Sequence, residues 1–189
     1  MHQSKNKLIT AQQAARLIKS NDMIVTGGFI GIGFAETLAT AIEKRFLDEG
    51  QPNDLQLLYA AGQGDTKHRG LNHFGHPGMV KRVIGGHWGL APTLGKLAIE
   101  NKIEAYNLPQ GVICHMFRDI AAGKPGTLTT VGLHTFVDPR IEGGKINARS
   151  TEEMVQLLDI NGKECLLYKH VPLNIALLRG TTADKNGNI

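Results

Sequence analysis

Met23-Ile24-Val25-Thr26-Gly27-Gly28-Phe29-Ile30-Gly31-Ile32-Gly33, with the helical pattern of Phe34 to Glu49 behind it, is the stretch that decides the fold. Its first residues form a short apolar run rich in β-branched side chains, which predicts a buried strand. Four glycines in seven positions then predict a turn of bare backbone, because glycine alone takes positive φ freely and lets a ligand approach. The amides beyond it open onto a helix N-terminus, a place that attracts a phosphate or a carboxylate. A strand–loop–helix unit facing an anionic substrate is the expectation. The plainer alternative is a turn that only packs a helix onto a sheet.

Two familiar glycine motifs do not fit. Gly31-Ile32-Gly33-Phe34-Ala35-Glu36 starts like a dinucleotide fingerprint, but Glu36 stands in the place of the third glycine. The strand expected at Leu55 to Ala60 runs into Ala61-Gly62-Gln63, with no carboxylate at its tip for a ribose. No Gly-Lys-Ser/Thr follows the loop, so it is not a P-loop either.

Moving outward, Thr10-Ala11-Gln12-Gln13 reads as a capping box that opens a helix to Lys19. The helix from Ala35 to Glu49 closes at Gly50. Further strands are predicted at Leu55–Ala61, Val80–Ile84 and Ile103–Asn107, with helices from Pro92 to Asn101 and from Val112 to Ala122. Between Gly62 and Gly78 lies a polar, histidine-containing loop too long to be a mere connection. This alternation predicts an open, mostly parallel α/β sheet with helices on both faces, whose ligands sit beyond the carboxyl ends of the strands. From Gly126 to Asn147 the texture turns to loops and short strands. Val155–Ile160 and Cys165–Tyr168 then flank an Asn161-Gly162 hairpin turn, and Ile175–Leu178 is another strand. A second turn signal, Asn186-Gly187, has no returning strand after it, so residues 1–189 are read as a piece of a longer polypeptide.

Composition narrows the class. The chain has 189 residues, 41% hydrophobic and 20% charged, which suits a globular domain with a sizeable core. No apolar run is long enough for a transmembrane helix, and the polar start Met1–Lys7 is not a secretory signal. Two cysteines, Cys114 and Cys165, suit reduced thiols and a cytoplasmic setting. The net charge of +4 is mild and scattered, with no recognition motif for nucleic acid.

Among residues that could carry chemistry, His68, His73, His76 and His87 cluster in the loops, but no Cys-x-x-Cys or His-Glu-x-x-His supports a metal centre. They read as loop histidines bonded to backbone or solvent. Cys114 beside His115 is not a dyad, since neighbours on a helix diverge, and Cys114 is expected in the core. Glu36 is expected to cap or complement its helix. Asp65, Asp119 and Asp138 look isolated. Gln110, between Pro109 and Gly111 just past a strand tip, can donate to an oxyanion without bringing charge; a helix-capping role is the alternative.

The chain resembles the N-terminal, or α, half of the family I coenzyme A transferases. The motif Gly27-Gly28-Phe29-Ile30-Gly31-Ile32-Gly33-Phe34-Ala35 matches the family's glycine signature, with Ala35 where the family has proline. Asn107-Leu108-Pro109-Gln110-Gly111 is a second match. Gly85-Gly86-His87-Trp88-Gly89 and the run from Gly126 through Thr135-Phe136-Val137-Asp138-Pro139-Arg140 to Asn147 are similar to the single-chain acetate or propionate coenzyme A-transferases. The resemblance implies ping-pong transfer of coenzyme A between short-chain acyl-CoA and carboxylates of the acetate, propionate and acetoacetate class. A glutamate in the second half attacks the thioester, forms an acyl-glutamyl anhydride and then carries coenzyme A as a glutamyl thioester. It further implies that Gln110 is the oxyanion donor, and that Gly27, Gly28, Phe29, Gly31 and Asn107 line the substrate site, all facing one cleft. Coenzyme A is a substrate, no resident cofactor or metal is expected, and the partners are the C-terminal (β) half and further copies in a homo-oligomer. Two other readings use the same fold. One is a sugar-phosphate-binding regulator domain, which would need no nucleophile. The other is a sugar-phosphate isomerase, for which Asp65 would be the base.

Overall fold

A computed structural model describes residues 7–189. The polar start Met1–Lys7 lies, apart from Lys7, outside the described residues. Thr10 opens helix α1 (Ala11–Ala15) with the expected capping box: its hydroxyl accepts from Gln13 N–H while the Gln13 side chain accepts from Thr10 N–H. The helix ends four residues before Lys19. Arg45 reaches across from the next helix and donates to the carbonyls of Ala15 and Ile18, which satisfies the ends of a shortened helix.

Strand β1 (Met23–Thr26), helix α2 (Glu36–Glu49), β2 (Leu55–Tyr59), β3 (Val80–Gly85), α3 (Pro92–Ile99), β4 (Glu104–Asn107) and α4 (Gln110–Ala121) follow in alternation. A 3-10 turn at Leu71–Phe74 lies within the long polar loop. The chain then adds β5 (Gly126–Thr129), β6 (Val155–Ile160), β7 (Lys163–Lys169) and β8 (Ile175–Leu177). The main sheet is parallel throughout in the order β4-β3-β2-β1-β8, and β5-β7-β6 form a small antiparallel sheet.

The alternation of side chains along each strand divides the core in two. Ile24, Leu57, Tyr59, Val83 and Ala105 point to one face, beneath Ala39 and Ile42 of α2 and Leu94 and Leu97 of α3. Met23, Val25, Leu58, Ile84 and Tyr106 point to the other, where Val112, Ile113 and Met116 of α4 meet Val155, Leu166 and Tyr168 of the small sheet. Helices thus lie on both faces, as expected: α2 and α3 on one, and α4 on the other, where it shares the face with the small antiparallel sheet. Each fully buried Leu or Ile contributes about 1.5–3 kcal/mol.

The free edge of β4 is covered rather than left open. Ile146 N–H donates to Ala105, Asn107 N–H donates to Gly144, and the Ser150 hydroxyl both accepts from and donates to the Ala105 backbone. That covering segment is held by Asp138, which looked isolated in sequence. It is fully buried and accepts two bonds from the Arg140 guanidinium, at 2.9 and 2.7 Å, and one from His134 N–H. Those hydrogen bonds from Arg140 hold its carboxyl well below the usual carboxylate range. Asp119 is likewise buried, not isolated, with Lys124 at 2.7 Å and the Thr127 hydroxyl at 3.0 Å. The Asn161-Gly162 turn has positive φ at both residues, as a two-residue hairpin requires. At Asn186-Gly187 no strand follows among the described residues; the Asp184 carboxylate ties the turn through Asn186 and Asn188.

Candidate active site

Beyond the carboxyl end of β1 the glycine loop folds into a small reversed turn. Phe29 and Ile32 exchange backbone hydrogen bonds at 2.8 and 2.9 Å, and Ile30 exchanges two at 2.8 Å with Gly62 and Gly64 of the loop after β2. Gly28 has φ +126°, and a Cβ there would lie 2.9 Å from Phe34 N and 3.0 Å from Ile32 O. This glycine is required by the turn's own backbone rather than by a ligand. Gly31 is different: a Cβ on it would meet nothing within 4 Å. Ile30 sits at φ +58°, a strained conformation for a β-branched residue. Phe29, Ile30 and Ile32 all stand exposed, so the loop presents an apolar tip to solvent.

Glu36, the first residue of α2, does more than complement the helix dipole. One oxygen accepts from Gly70 N–H at 3.1 Å and the other lies 3.0 Å from His73 Nε2. His73 Nδ1 is 2.6 Å from Glu43, and His76 Nε2 is 2.6 Å from the second oxygen of Glu43. His73 and His76 therefore bond to carboxylates and clamp the loop after β2 onto α2, while His68 and His87 stand exposed, as loop histidines facing solvent would. No group of ligands suited to a metal occurs among the described residues. Sequence reasoning missed this clamp, although Glu36 and Glu43 lie seven residues apart on one helix face.

A hollow of about 600 Å³ lies beside this unit, with Gly31, Phe34, Arg69 and Arg179 on its walls. Asp65 also borders it but is a poor base. Its carboxylate accepts from the N–H groups of Lys67, His68 and Arg69 at 2.8–2.9 Å, which hold its pKa down to about 2. Behind the loop, the buried Gln63 side chain accepts from the Thr26 hydroxyl at 2.7 Å and donates to its carbonyl, tying β1 to the loop after β2.

Gln110 stands at the first position of α4, after Pro109, exposed at the same carboxyl rim. Pro109 takes the N-cap position, so Gln110 is not the cap residue, and among the described residues no hydrogen bond engages its exposed side chain. Gly86, at the tip of β3, lets the start of α4 come close: a Cβ there would lie 2.1 Å from Ala60 O and 3.1 Å from Gln110 Cα. Asn107 ends β4 with its Oδ1 atom buried and unpartnered among the described residues. Asn107 and Gln110 thus share one corner. Gly27, Gly28, Phe29 and Gly31 do not join them, because β1 and β4 are separated by two strands, or ~14 Å at about 4.8 Å per step. The expected single cleft is two stations on one rim. Gly27 borders a separate, apolar hollow with Phe117 and Leu178. Cys114, expected in the core, is exposed: Val112, Ile113 and Met116 take the buried face of α4 and leave Cys114 outside.

Residues 8–189 of this sheet-and-loop frame match the coenzyme A transferase family, and the chain belongs to it. It is 43% identical over 97% of its length to a caffeate CoA-transferase of Acetobacterium woodii, covering 35% of that protein. It is 31% identical over 98% of its length to the acetate CoA-transferase subunit alpha of Escherichia coli, covering 74% of it. The crystal structure of the YdiF acyl-CoA transferase apoenzyme from Escherichia coli O157:H7 superposes with a TM-score of 0.95 at 37% identity, over 97% of this chain and 36% of that one. The chain thus spans about a third of the length of single-chain relatives and most of an alpha subunit. Among the described residues no helix is long and apolar enough to cross a membrane.

Proposed function

We propose that this chain is the N-terminal half of a cytoplasmic CoA-transferase that moves coenzyme A between short-chain acyl-CoA and carboxylates. The free Gln110 amide at the carboxyl rim, in a chain of this family, is the observation that carries the reading. The nucleophile is a glutamate of a second, β-type half that closes over the rim. It attacks the thioester carbonyl, expels the coenzyme A thiolate and becomes an acyl anhydride; the thiolate then displaces the carboxylate and leaves a glutamyl-CoA thioester. Both attacks build negative charge on a carbonyl oxygen, and Gln110 donates to it without adding a charge the glutamate would have to oppose. The apolar tip Phe29–Ile32 is the face on which the second half docks. The likeness to an alpha subunit and to single-chain enzymes supports a β-half partner. The free thiols Cys114 and Cys165 suit a reducing compartment. The complete protein assembles as a homo-oligomer, with coenzyme A a substrate and not a resident cofactor.

The test mixes the complete protein with acetyl-CoA and propionate and follows propionyl-CoA. Borohydride added after acyl-CoA alone is expected to reduce the thioester and leave one glutamate modified. Absence of both exchange and modification contradicts the proposal.

A further inference from the structure

Glu36 opens α2 behind Ala35, which holds the N-cap position and makes no side-chain bond there. A carboxylate at a helix start ordinarily has only the dipole to complement. Here both oxygens are committed to the loop after β2, one to Gly70 N–H and the other to His73. Gly70 stands at φ +69°, and a Cβ on it would lie 2.6 Å from Gly64 Cα and 2.7 Å from Gln63 O, so its backbone rests directly on that of Gly64. Gly64 N–H in turn donates to Ile30 O at 2.8 Å, and Ile30 N–H donates to Gly62 O at 2.8 Å. Beyond the Glu36 carboxylate, the path to the tip of the glycine loop is therefore bare backbone, with no flexible side chain to absorb a shift. It ends on Ile30 at φ +58°, a conformation that its surroundings must impose. The other oxygen of Glu36 grips an anchored ring, because Glu43 holds His73 from behind at 2.6 Å and is itself held by His76. Glu36 borders the hollow beside Gly31, yet both its oxygens are already engaged.

We propose that Glu36 is a positioning residue for coenzyme A transfer: through Gly70 and His73 it fixes the glycine loop at Ile30, the surface the second half meets, without touching substrate itself. The proposal rests on the transferase reading and adds to it a residue that acts through the loop. A tip that shifts carries the docked half with it, and the reacting glutamate moves away from Gln110.

The complete enzyme is assayed for exchange between acetyl-CoA and propionate with Glu36 replaced by Ala, Asp or Gln. Glu36→Ala is expected to lower kcat about 10- to 100-fold while KM for both substrates stays within about 3-fold, as misplaced reacting groups require. Glu36→Asp keeps the charge at the helix start but is one methylene short of Gly70 and His73, so its kcat should fall with that of Glu36→Ala. Glu36→Gln keeps an oxygen for Gly70 N–H and supplies an N–H to His73 Nε2, and should stay within about 3-fold of wild type. A role confined to the helix dipole gives the reverse order, with Asp near wild type and Gln near Ala; that order overturns the proposal, as does a Glu36→Ala kcat within about 2-fold of wild type. Arg45→Met, which frees α1 from the far end of α2, is the control for lost stability. Its kcat should hold; a fall matching that of Glu36→Ala overturns the proposal. If the wild type exchanges no coenzyme A, the transferase reading has failed, and amide hydrogen exchange decides the positioning of the loop separately. Ile30 and Gly64 N–H exchanging about 10-fold faster in Glu36→Ala, and at the wild-type rate in Glu36→Gln, upholds it; unchanged rates in Glu36→Ala overturn it.

Discussion

His73 places its Nδ1 2.6 Å from the Glu43 carboxylate, and its other ring nitrogen 3.0 Å from Glu36. A neutral imidazole has one N–H, so only the doubly protonated ring donates to both. Burial works against that charge, but the two carboxylates outweigh it and hold the His73 pKa above its ordinary 6.5. A raised pKa in the fold means stability that is full below about pH 6.5 and lost as pH rises through the native value. Glu43 runs the other way: burial pushes its pKa up, the bonds from His76 and His73 outweigh that and lower it, and its contribution is full above about pH 4.5 and lost as pH falls through the native value. Melting temperature should therefore be highest between these limits and fall above neutrality. His73→Gln should flatten the alkaline fall, and a wild-type curve flat from pH 6 to 9 would contradict the clamp.

The glycine loop separates two roles that look alike in sequence. Gly28→Ala drives a Cβ into Phe34 N and Ile32 O at a φ that side chains avoid, and should cost about 1–3 kcal/mol or more, read by urea unfolding. Gly31→Ala meets open space and should unfold as the wild type does. In the complete enzyme, a rise in KM for Gly31→Ala with stability unchanged would place substrate at that spot. Equal stability of the two variants would overturn the distinction.

Strain at Ile30 offers a complementary change. Its φ of +58° costs about 1–2 kcal/mol that glycine does not incur. Ile30→Gly should raise stability by up to that amount, less the entropy glycine gains when unfolded. The gain in urea midpoint should come with weaker docking of the second half, because an exposed apolar side chain is removed.

Tyr59 carries a buried hydroxyl with no partner among the described residues, and its ring occupies the place a Cβ on Gly85 would take. Burial pushes its pKa far above the usual tyrosine value. Tyr59→Phe removes an unsatisfied group without opening space, so stability should stay level or rise by about 1 kcal/mol. A loss of 2 kcal/mol or more would mean the hydroxyl has a partner in solution, most simply a water.

Much of this architecture is legible from residues alone. Met23–Val25 and Leu57–Tyr59 are buried throughout, so their apolar runs mark strands of a parallel sheet directly, whereas half-buried Lys81 and Arg82 interrupt the Val80–Ile84 strand. Gly33, Gly50 and Asn161-Gly162 mark turns because the backbone there takes positive φ. The rest depends on contacts that distance along the chain hides. Glu36 and Glu43 meet His73 and His76 across 30 to 37 residues, and Arg45 shortens α1 from another helix. Cys114 was misjudged for a local reason: with Val112, Ile113 and Met116 facing the core, helical phase already turns it outward. The two stations of the rim could not be told apart either, since strand order, not strand sequence, sets the distance between Gly27 and Gln110.

Gln110→Ala in the complete enzyme is the most direct measurement of the central claim. The side chain is exposed at the start of α4 and makes no cap bond among the described residues, so its loss should leave the melting temperature unchanged. Turnover of coenzyme A exchange should fall about 10- to 1000-fold, the range for one oxyanion donor, with kcat and kcat/KM falling together. Turnover within 2-fold of wild type would contradict the assignment of Gln110 to the reacting carbonyl.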